Sequence, residues 1–157
     1  MARVGLGYDI HRFKAGRPLW LGGVQIPFEK GLDGHSDADA LLHAIIDALL
    51  GAAALPDIGH YFPPSDPAIK DIASSAMLEK AAAEVKKAGY RVHNVDAVVI
   101  AEAPKIGPHR EAMRKTVAHL LNISVDAVQV KGKTNEGLDA IGRGEALAAQ
   151  AVVLLEK

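Results

Sequence analysis

The sequence has 157 residues, of which 49% are hydrophobic, and its 18 Lys and Arg against 19 Asp and Glu give a formal net charge of −1. This size and charge balance predict a single domain, residues 1–157, with a substantial core, and exclude an acidic disordered tail and a basic nucleic-acid-binding stripe. Because cysteine is absent, thiol nucleophiles, disulfides and Cys-type zinc fingers are excluded. His and carboxylates are the remaining metal ligands.

The first residues do not have the pattern of a signal peptide. No apolar run follows a basic stretch, and Asp9 and His11 interrupt the segment that would have to stay apolar. We therefore expect a soluble, cytoplasmic protein, with neither a membrane nor a nucleic acid among its partners.

The N-terminal part of the chain shows the patterns of strands. Residues 2–12 alternate, with Val4, Leu6, Tyr8 and Ile10 on one face and Gly5, Gly7, Asp9 and His11 on the other. The two glycines are expected to leave their side of the strand open. Two short apolar runs around Gly22-Gly23, within residues 19–28, predict a hairpin.

Three later segments have the apolar spacing of helices. They cover residues 38–55, with Ser36, Asp37 and Asp39 as capping candidates, residues 67–88, and a segment that opens at Pro108. The proline-containing residues 57–67 between the first two helices predict a loop, either functional or a plain connector.

Further strands are predicted over residues 92–102, 128–131 and 146–155. Strands mixed with helices favour an α+β fold, a two-layer sandwich with helices on one face of a small mixed sheet. The chain is too short to cover the other face, so we predict a homo-oligomer.

Asp9, His11 and His43 are candidate metal ligands. The first two lie two residues apart on the predicted strand, so their side chains project to the same side. With His43 from the first helix, three ligands would leave one position of a tetrahedral zinc open for chemistry. Asp47, one turn beyond His43, could orient its imidazole. The alternative is an exposed polar strand edge together with a core histidine.

Two further segments are candidates for binding phosphate. His35 and Ser36 lie just before the first helix, where unpaired backbone N–H groups point outward, although this segment could instead only cap the helix. Residues 131–145 are rich in polar and charged side chains, and Glu136 could hold a hard cation. Taken alone, that segment is also typical of an ordinary polar loop, and residues 101–110 favour a stiff connector.

Six short motifs occur in an order that resembles one known family. They are G-Y-D-I-H at 7–11, G-H-S-D-A-D-x-x-x-H at 34–43, D-I-G-x-x-F-P at 57–63, A-P-K at 103–105, K-x-N-E at 133–136 and G-R-G-E at 142–145. Over essentially its whole length, the sequence resembles the 2-C-methyl-D-erythritol 2,4-cyclodiphosphate synthases of the non-mevalonate isoprenoid pathway.

This resemblance implies a homotrimer, with sheets packed around the three-fold axis and active sites at subunit boundaries. It implies a zinc ion on Asp9, His11 and His43, with a phosphate oxygen of the substrate as the fourth ligand. It also implies a second cation, magnesium or manganese, on Glu136 and the substrate phosphates.

The resemblance further implies which residues act on the substrate. His35 and Thr134 match the pair that stabilises the transition state. The implied substrate contacts are Asp9, His11, His35 and Ser36; Asp57, Ile58, Gly59, Phe62, Pro63, Pro64, Ser65 and Asp66; Ala101, Glu102, Ala103, Pro104, Lys105, Ile106 and Gly107; Lys133, Thr134, Asn135 and Glu136; and Arg143. Four positions depart from the commoner family residues, namely Glu102, Gly107, Asn135 and Ala140.

The implied reaction is intramolecular and is that of a phosphorus–oxygen lyase. The 2-phosphate of 4-diphosphocytidyl-2-C-methyl-D-erythritol 2-phosphate attacks the β-phosphate of its CDP group, releases CMP and closes the cyclic diphosphate. In some members a central cavity, near the positions of Arg143 and Glu145, binds isoprenoid diphosphates. The alternatives are a metal phosphohydrolase and a trimeric binding module without turnover.

Overall fold

The computed structural model describes residues 1–157, which form an α+β fold. The strands are β1 (Ala2–Ala15), β2 (Leu19–Leu21), β3 (Val24–Ile26), β4 (Lys30–Leu32), β5 (Arg91–Ile100), β6 (Val128–Lys133) and β7 (Ala146–Glu156). The helices are α1 (Ala40–Ala52), α2 (Ile58–Tyr61), α3 (Ser74–Lys87), α4 (Arg110–Leu121) and α5 (Asp139–Gly142), with 3-10 turns at Pro67–Ile69, Gly107–His109 and Val125–Ala127.

Five of the strands form one mixed sheet in the order β4-β1-β7-β5-β6. Neighbouring strands are antiparallel except β5 and β6, which are parallel. A parallel pair needs a crossover connection, and α4 lies in the connection between β5 and β6. Strands β2 and β3 form the predicted hairpin apart from this sheet. The predicted α+β fold with a mixed sheet is confirmed.

Strand β1 has the two different faces that its alternation predicts. Val4 and Leu6 are exposed on one face, whereas Gly5 and Gly7 are buried on the other. A Cβ on Gly7 would lie 1.8 Å from the carbonyl oxygen of Ala44, so only glycine lets the backbone of α1 come this close. The expectation that the glycines leave this side open was wrong, because α1 packs directly against it.

Helix α1 lies at the centre of the core, between the sheet and α3. Its residues are buried apart from His43, Asp47 and Gly51, which follow one another at intervals of four. Each fully buried Leu or Ile contributes roughly 1.5–3 kcal/mol to the free energy of unfolding. The position of His43 on the single less buried line of the helix lets its side chain reach a site outside the core. None of the helices in the chain is both long and apolar enough to cross a membrane.

Helix α1 begins two residues later than the sequence predicted. Asp39 is its N-cap, and its carboxylate accepts a hydrogen bond from the N–H of Leu42 at 3.0 Å. Ala38 has a left-handed backbone, with φ 59°, which a right-handed helix cannot include. The Asp39 carboxylate also accepts bonds from the N–H groups of Gly22 and Gly23, and so connects the hairpin to the start of α1.

Three parts of the structure differ from the prediction. Two are segments between α1 and β5, and the third is a strand at one edge of the sheet. The predicted helix over 67–88 begins only at Ser74, because Asp71 has a left-handed backbone, with φ 62°, between the 3-10 turn and α3. The predicted loop over 57–67 contains the short helix α2. Strand β4 was not predicted, because three residues are too few to show alternation.

Candidate functional site

Asp9, His11 and His43 lie close together in the folded chain. Strand β1 supplies the first two and α1 the third, and one potential ligand atom from each lies within 4.8 Å of the others. Oδ2 of Asp9 is 2.8 Å from Nε2 of His11 and 3.2 Å from Nδ1 of His43. The three predicted ligands are therefore confirmed as a group that could hold a divalent metal.

The ring nitrogen of His11 that faces this group makes no hydrogen bond. Nδ1 of His11 lies 2.7 Å from the carbonyl oxygen of Asp33, so in the neutral ring Nδ1 carries the hydrogen and Nε2 has the free lone pair. Nε2 is buried and has no hydrogen-bond partner, although Asp9 is near. Buried polar atoms are rarely left unpaired, and a cation between this lone pair and the carboxylate would satisfy both.

The pKa values of Asp9 and His11 are shifted in the directions expected for a group that attracts positive charge. Burial acts to raise the pKa of Asp9, but the adjacent imidazoles of His11 and His43 outweigh it and lower that pKa. Burial likewise acts to lower the pKa of His11, but Asp9 and the carbonyl of Asp33 outweigh it and raise that pKa. A proton and a metal ion are the two cations that this arrangement suits.

His43 is held differently from what the sequence suggested. Its Nε2 lies 2.9 Å from Oγ of Ser74, the first residue of α3, and its Nδ1 faces Asp9. The expectation that Asp47 orients this imidazole was wrong, because Asp47 accepts a hydrogen bond from the N–H of Ile58 at 2.9 Å. The His43 side chain is only 13% exposed, but its Nδ1 is directed at Asp9 of the candidate metal group. Sequence reasoning missed Ser74, because no local pattern connects it to α1.

A cavity of about 220 Å³ opens beside the three candidate ligands. Its lining residues are Asp9, His11, Gly34, His35, Ser36, His43, Ile58, Gly59, Phe62, Pro64, Ile69 and Met77. Ser65 and Asp66 line an adjacent hollow with Arg17, whereas Asp57 and Pro63 line neither. Most predicted contacts from the first half of the chain therefore surround the candidate metal group.

Arg17 fixes the segment that precedes α1. Its guanidinium donates to the carbonyl oxygens of Gly34 at 3.0 Å and Ser36 at 2.7 Å. The hydroxyl of Ser36 accepts from the N–H of Ala38, and the N-cap of α1 is Asp39 rather than Ser36 or Asp37. Arg17 was missed by sequence reasoning, since nothing in the local sequence shows that it reaches this segment.

The second predicted group lies three strands away in the same sheet. Lys133 of β6 pairs with Ile100 of β5, which pairs with Ala148 of β7, which pairs with Ile10 of β1. Each step between strands is about 4.8 Å, so Lys133 lies roughly 14 Å from β1. Within one chain, the segments after β5 and β6 do not line the cavity beside the metal group. The expected pairing of His35 with Thr134 is therefore not formed inside a single chain.

Glu102 holds the turn that follows β6. Its Oε1 accepts hydrogen bonds from the N–H of Asn135 at 2.9 Å and the N–H of Gly137 at 3.3 Å. Glu136 lies between these two residues with a left-handed backbone, φ 53°. Glu102 therefore fixes the backbone around the predicted ligand of the second cation.

The exposed polar side chains around this turn pair with one another. Oε1 of Glu136 lies 3.4 Å from Nζ of Lys133 and 3.3 Å from Oγ1 of Thr134. Just after α5, Nε of Arg143 donates to Glu145 at 2.8 Å. Such exposed pairs contribute little to stability, so these groups remain available to a charged ligand.

Comparison with known proteins identifies the family that the sequence motifs resemble, and the match extends along the whole chain. Residues 2–156 match the model of the YgbB family. The chain is 59% identical over 155 residues to the 2-C-methyl-D-erythritol 2,4-cyclodiphosphate synthase of Chromobacterium violaceum, covering 99% of this chain and 98% of that protein. It is 58% identical over 149 residues to the bifunctional enzyme IspD/IspF of Erythrobacter litoralis, covering 95% of this chain but only 39% of that protein.

A solved structure has the same fold. The structure of a 2-C-methyl-D-erythritol 2,4-cyclodiphosphate synthase in a CDP-bound form superposes with a TM-score of 0.90 at 40% identity. The match covers 98% of this chain and 100% of that chain. The chain therefore belongs to the YgbB family, together with the 2-C-methyl-D-erythritol 2,4-cyclodiphosphate synthases.

Proposed function

We propose that the chain catalyses the formation of 2-C-methyl-D-erythritol 2,4-cyclodiphosphate, as the names of its relatives state for them. The 2-phosphate of 4-diphosphocytidyl-2-C-methyl-D-erythritol 2-phosphate attacks the β-phosphate of its own CDP group. A P–O bond forms between the 2-phosphate and the β-phosphorus. The bond between the β-phosphorus and the oxygen that bridges to the α-phosphate breaks, and CMP leaves with that oxygen. The chain would thus be a phosphorus–oxygen lyase of the non-mevalonate isoprenoid pathway.

The observation that carries this proposal is the group of Asp9, His11 and His43 beside a cavity lined by His35 and Ser36. A site with three protein ligands leaves a position for a substrate oxygen. The attacking group belongs to the substrate, so the site needs no protein nucleophile, and the chain has no cysteine. Most of the required catalysis then comes from holding the two phosphates together in the right orientation.

We assign zinc to Asp9, His11 and His43, and magnesium or manganese to Glu136 with the substrate phosphates. When bound, the two ions would polarise a phosphate oxygen and offset the charge on the departing CMP. The buried Nε2 of His11, which makes no hydrogen bond, and the imidazole ligands suit zinc, whereas an exposed carboxylate suits a hard cation.

The remaining polar residues would bind and orient the substrate. We assign transition-state stabilisation to His35 and Thr134. The erythritol end is assigned to residues 35–36, 57–59 and 62–66, and the cytidine and diphosphate to residues 101–107 and 133–136, with Arg143 as a further contact. The hydrogen bonds that Arg17 donates and Glu102 accepts support this assignment, because they fix the backbone of both segments before a ligand arrives.

We further propose that the two halves of the site meet between subunits of a homotrimer. Val4, Leu6, Tyr8 and Ile10 of β1 are 67%, 68%, 50% and 44% exposed, and Val152 of β7 is 43% exposed. A contiguous apolar patch on a sheet is typical of a subunit interface. Such an interface would also bring the segments after β5 and β6 of one subunit to the metal group of another.

The identity of the product tests this proposal. The purified protein is incubated with zinc, magnesium and the CDP-linked 2-phosphate substrate, and the phosphorus-containing products are followed by NMR. We expect CMP and the cyclic diphosphate in equal amounts. Release of CMP with a linear phosphorylated product would instead identify a metal phosphohydrolase, and binding without conversion would identify a binding module.

A further inference from the structure

We propose that Ser74 and Asp37 are positioning residues that fix the tautomer of His43 and thereby raise the affinity of the site for zinc. Neither residue is among the three candidate ligands. The inference rests on the proposed zinc site and deepens it, because it identifies what prepares one of the ligands before the ion binds.

The direction of the Ser74 hydroxyl follows from the donors around Asp37. Oδ2 of Asp37 accepts from the N–H of Ser74 at 2.9 Å, and Oδ1 accepts from the N–H of Asp39 at 3.1 Å. The hydroxyl of Ser74 also lies in close hydrogen-bond contact with Oδ1. An ionised carboxylate only accepts hydrogen bonds, so the hydroxyl hydrogen of Ser74 points at Asp37.

The direction of this hydrogen determines the state of the His43 ring. Ser74 is fully buried, and its Oγ lies 2.9 Å from Nε2 of His43. Because the hydrogen of Ser74 is directed at Asp37, its oxygen presents a lone pair to the ring, and Nε2 must carry the hydrogen. Ser36 Oγ lies further from the same nitrogen, at 3.4 Å. The lone pair of the neutral ring is then on Nδ1, the atom that faces Asp9.

The two histidines therefore use the same device with different partners. In each ring, the nitrogen that points away from Asp9 has a hydrogen-bond partner. For Nδ1 of His11 the partner is the backbone carbonyl of Asp33, and for Nε2 of His43 it is the side chain of Ser74. Loss of such a partner lowers metal affinity about 10–100-fold in zinc sites. Only the partner of His43 can be removed by substitution, which makes the inference testable.

A purely structural role makes a different prediction from a positioning role. The bonds between Asp37 and Ser74 also join the segment before α1 to the start of α3, so their loss would destabilise the fold. A structural role lowers the unfolding temperature equally with and without zinc. A positioning role reduces the increase in unfolding temperature that zinc itself produces, because that increase depends on zinc affinity.

The test uses the full chain carrying Ser74→Ala, stripped of metal and titrated with zinc alone. Zinc affinity is measured by competition with a chromogenic chelator, and unfolding temperatures are measured with zinc and with EDTA. We expect affinity to fall about 10–100-fold and the zinc-dependent increase in unfolding temperature to shrink. The matched control is Ser75→Ala, the next residue on α3. The serines that contact Nε2 of His43 are Ser36 and Ser74, so this variant should behave as wild type.

Asp37→Asn provides a second, independent variant. An amide has one neutral acceptor oxygen for the three donors that the Asp37 carboxylate accepts, so it no longer directs the Ser74 hydroxyl firmly, and the hydroxyl can donate to Nε2 of His43 instead. We expect zinc affinity to fall here as well. Wild-type affinity in both variants, with equal loss of stability with and without zinc, would overturn the inference. A wild-type chain that binds no zinc would overturn the metal site itself, and the inference with it.

Discussion

His11 and His43 direct different ring nitrogens at the same oxygen of Asp9. Nε2 of His11 lies 2.8 Å and Nδ1 of His43 lies 3.2 Å from Oδ2 of Asp9. The lone pairs of two ring nitrogens and one carboxylate oxygen point at the same position. A single cation there would be coordinated by all three side chains, and its charge would offset that of the carboxylate. If the group binds an ion, we expect each of the three side chains to be necessary, because removal of one would leave too few ligands around it.

The substitution His43→Ala should abolish turnover and lower zinc content while the protein remains folded and assembled. The imidazole lies on the less buried line of α1, so its loss leaves the core of the helix unchanged. Zinc content, product formation and sedimentation are measured on the same sample. The control is His93→Ala, an exposed histidine near Glu156, which should remain active. Normal activity of the His43 variant would refute its role as a ligand.

Asp39 is a carboxylate whose titration should affect stability rather than catalysis. Burial raises the pKa of Asp39 to about 6, although the N–H groups of Leu42, Gly23 and Gly22 act in the opposite direction. In the unfolded chain the pKa has its ordinary value of 3.8. Because the folded-state pKa is the higher one, the stabilisation that this group contributes is fully present below 3.8 and is lost as the pH rises through about 6.

The variant Asp39→Asn should therefore remove a pH-dependent part of the stability. Urea unfolding is measured for both proteins between about pH 5 and about pH 7. We expect the free energy of unfolding of the wild type to fall more steeply with rising pH than that of the variant. The variant should also be less stable overall, because an amide cannot accept all three N–H bonds. Parallel pH profiles would contradict the assignment.

At the scale of elements, the contact between β1 and α1 determines the geometry of the site. The strand carries Asp9 and His11, the helix carries His43, and the two elements meet backbone to backbone across Gly5 and Gly7. Any group larger than hydrogen at these glycines would push the helix away from the strand. The distance between the candidate ligands therefore depends on two residues that bind nothing.

The substitution Gly7→Ala should destabilise the fold by at least about 1–3 kcal/mol, because its Cβ would meet the carbonyl of Ala44 at 1.8 Å. Zinc affinity should fall too, because the strand and the helix would separate. Chemical denaturation and chelator competition measure the two effects. Gly51→Ala is the matched control on α1: no atom lies within 4 Å of its Cβ position, so the change should be neutral or stabilising. Equal stability of the two variants would contradict this account.

The sequence was informative about elements wherever a pattern was local. Alternation predicted β1, and apolar spacing predicted α1, because both periods reflect a buried face. The motif residues also predicted the candidate ligands, since strand and helix periodicity place them on facing surfaces. Ser74, Arg17 and Asp33 were missed because their roles depend on contacts with residues distant in the sequence. The start of α3 was missed because a left-handed residue, Asp71, interrupts a pattern that still looks helical.

At the scale of the whole molecule, the sheet has one covered and one uncovered face. Helix α1 packs on the face that carries the candidate metal group, with α3 behind it. On the opposite face α5 covers only Ala148 and Ile100, and the face of β1 is apolar and exposed there. A single chain also keeps the two groups of polar residues three strands apart. The proposed homotrimer would cover the apolar face and join the two groups in the same assembly.

Leu6→Asp should convert the assembly into monomers, because it places a charge in the centre of the proposed interface. Zinc should still bind, since one chain supplies all three ligands, whereas turnover should be lost with the second half of the site. Sedimentation and zinc titration test both outcomes. Ala83→Asp, on the exposed side of α3, adds the same charge elsewhere and should leave assembly unchanged. A wild-type chain that sediments as a monomer at micromolar concentration would contradict the trimer.

The alternation of β1 has a consequence for changes in chain length. Shifting a strand by one residue turns every later side chain to the opposite face. An insertion or deletion of one residue before Asp9 would therefore direct Asp9 and His11 at the apolar face and force larger side chains toward Ala44, where not even a methyl group fits. This strand can tolerate many exchanges of one side chain for another on its exposed face, but it cannot tolerate the gain or loss of a single residue.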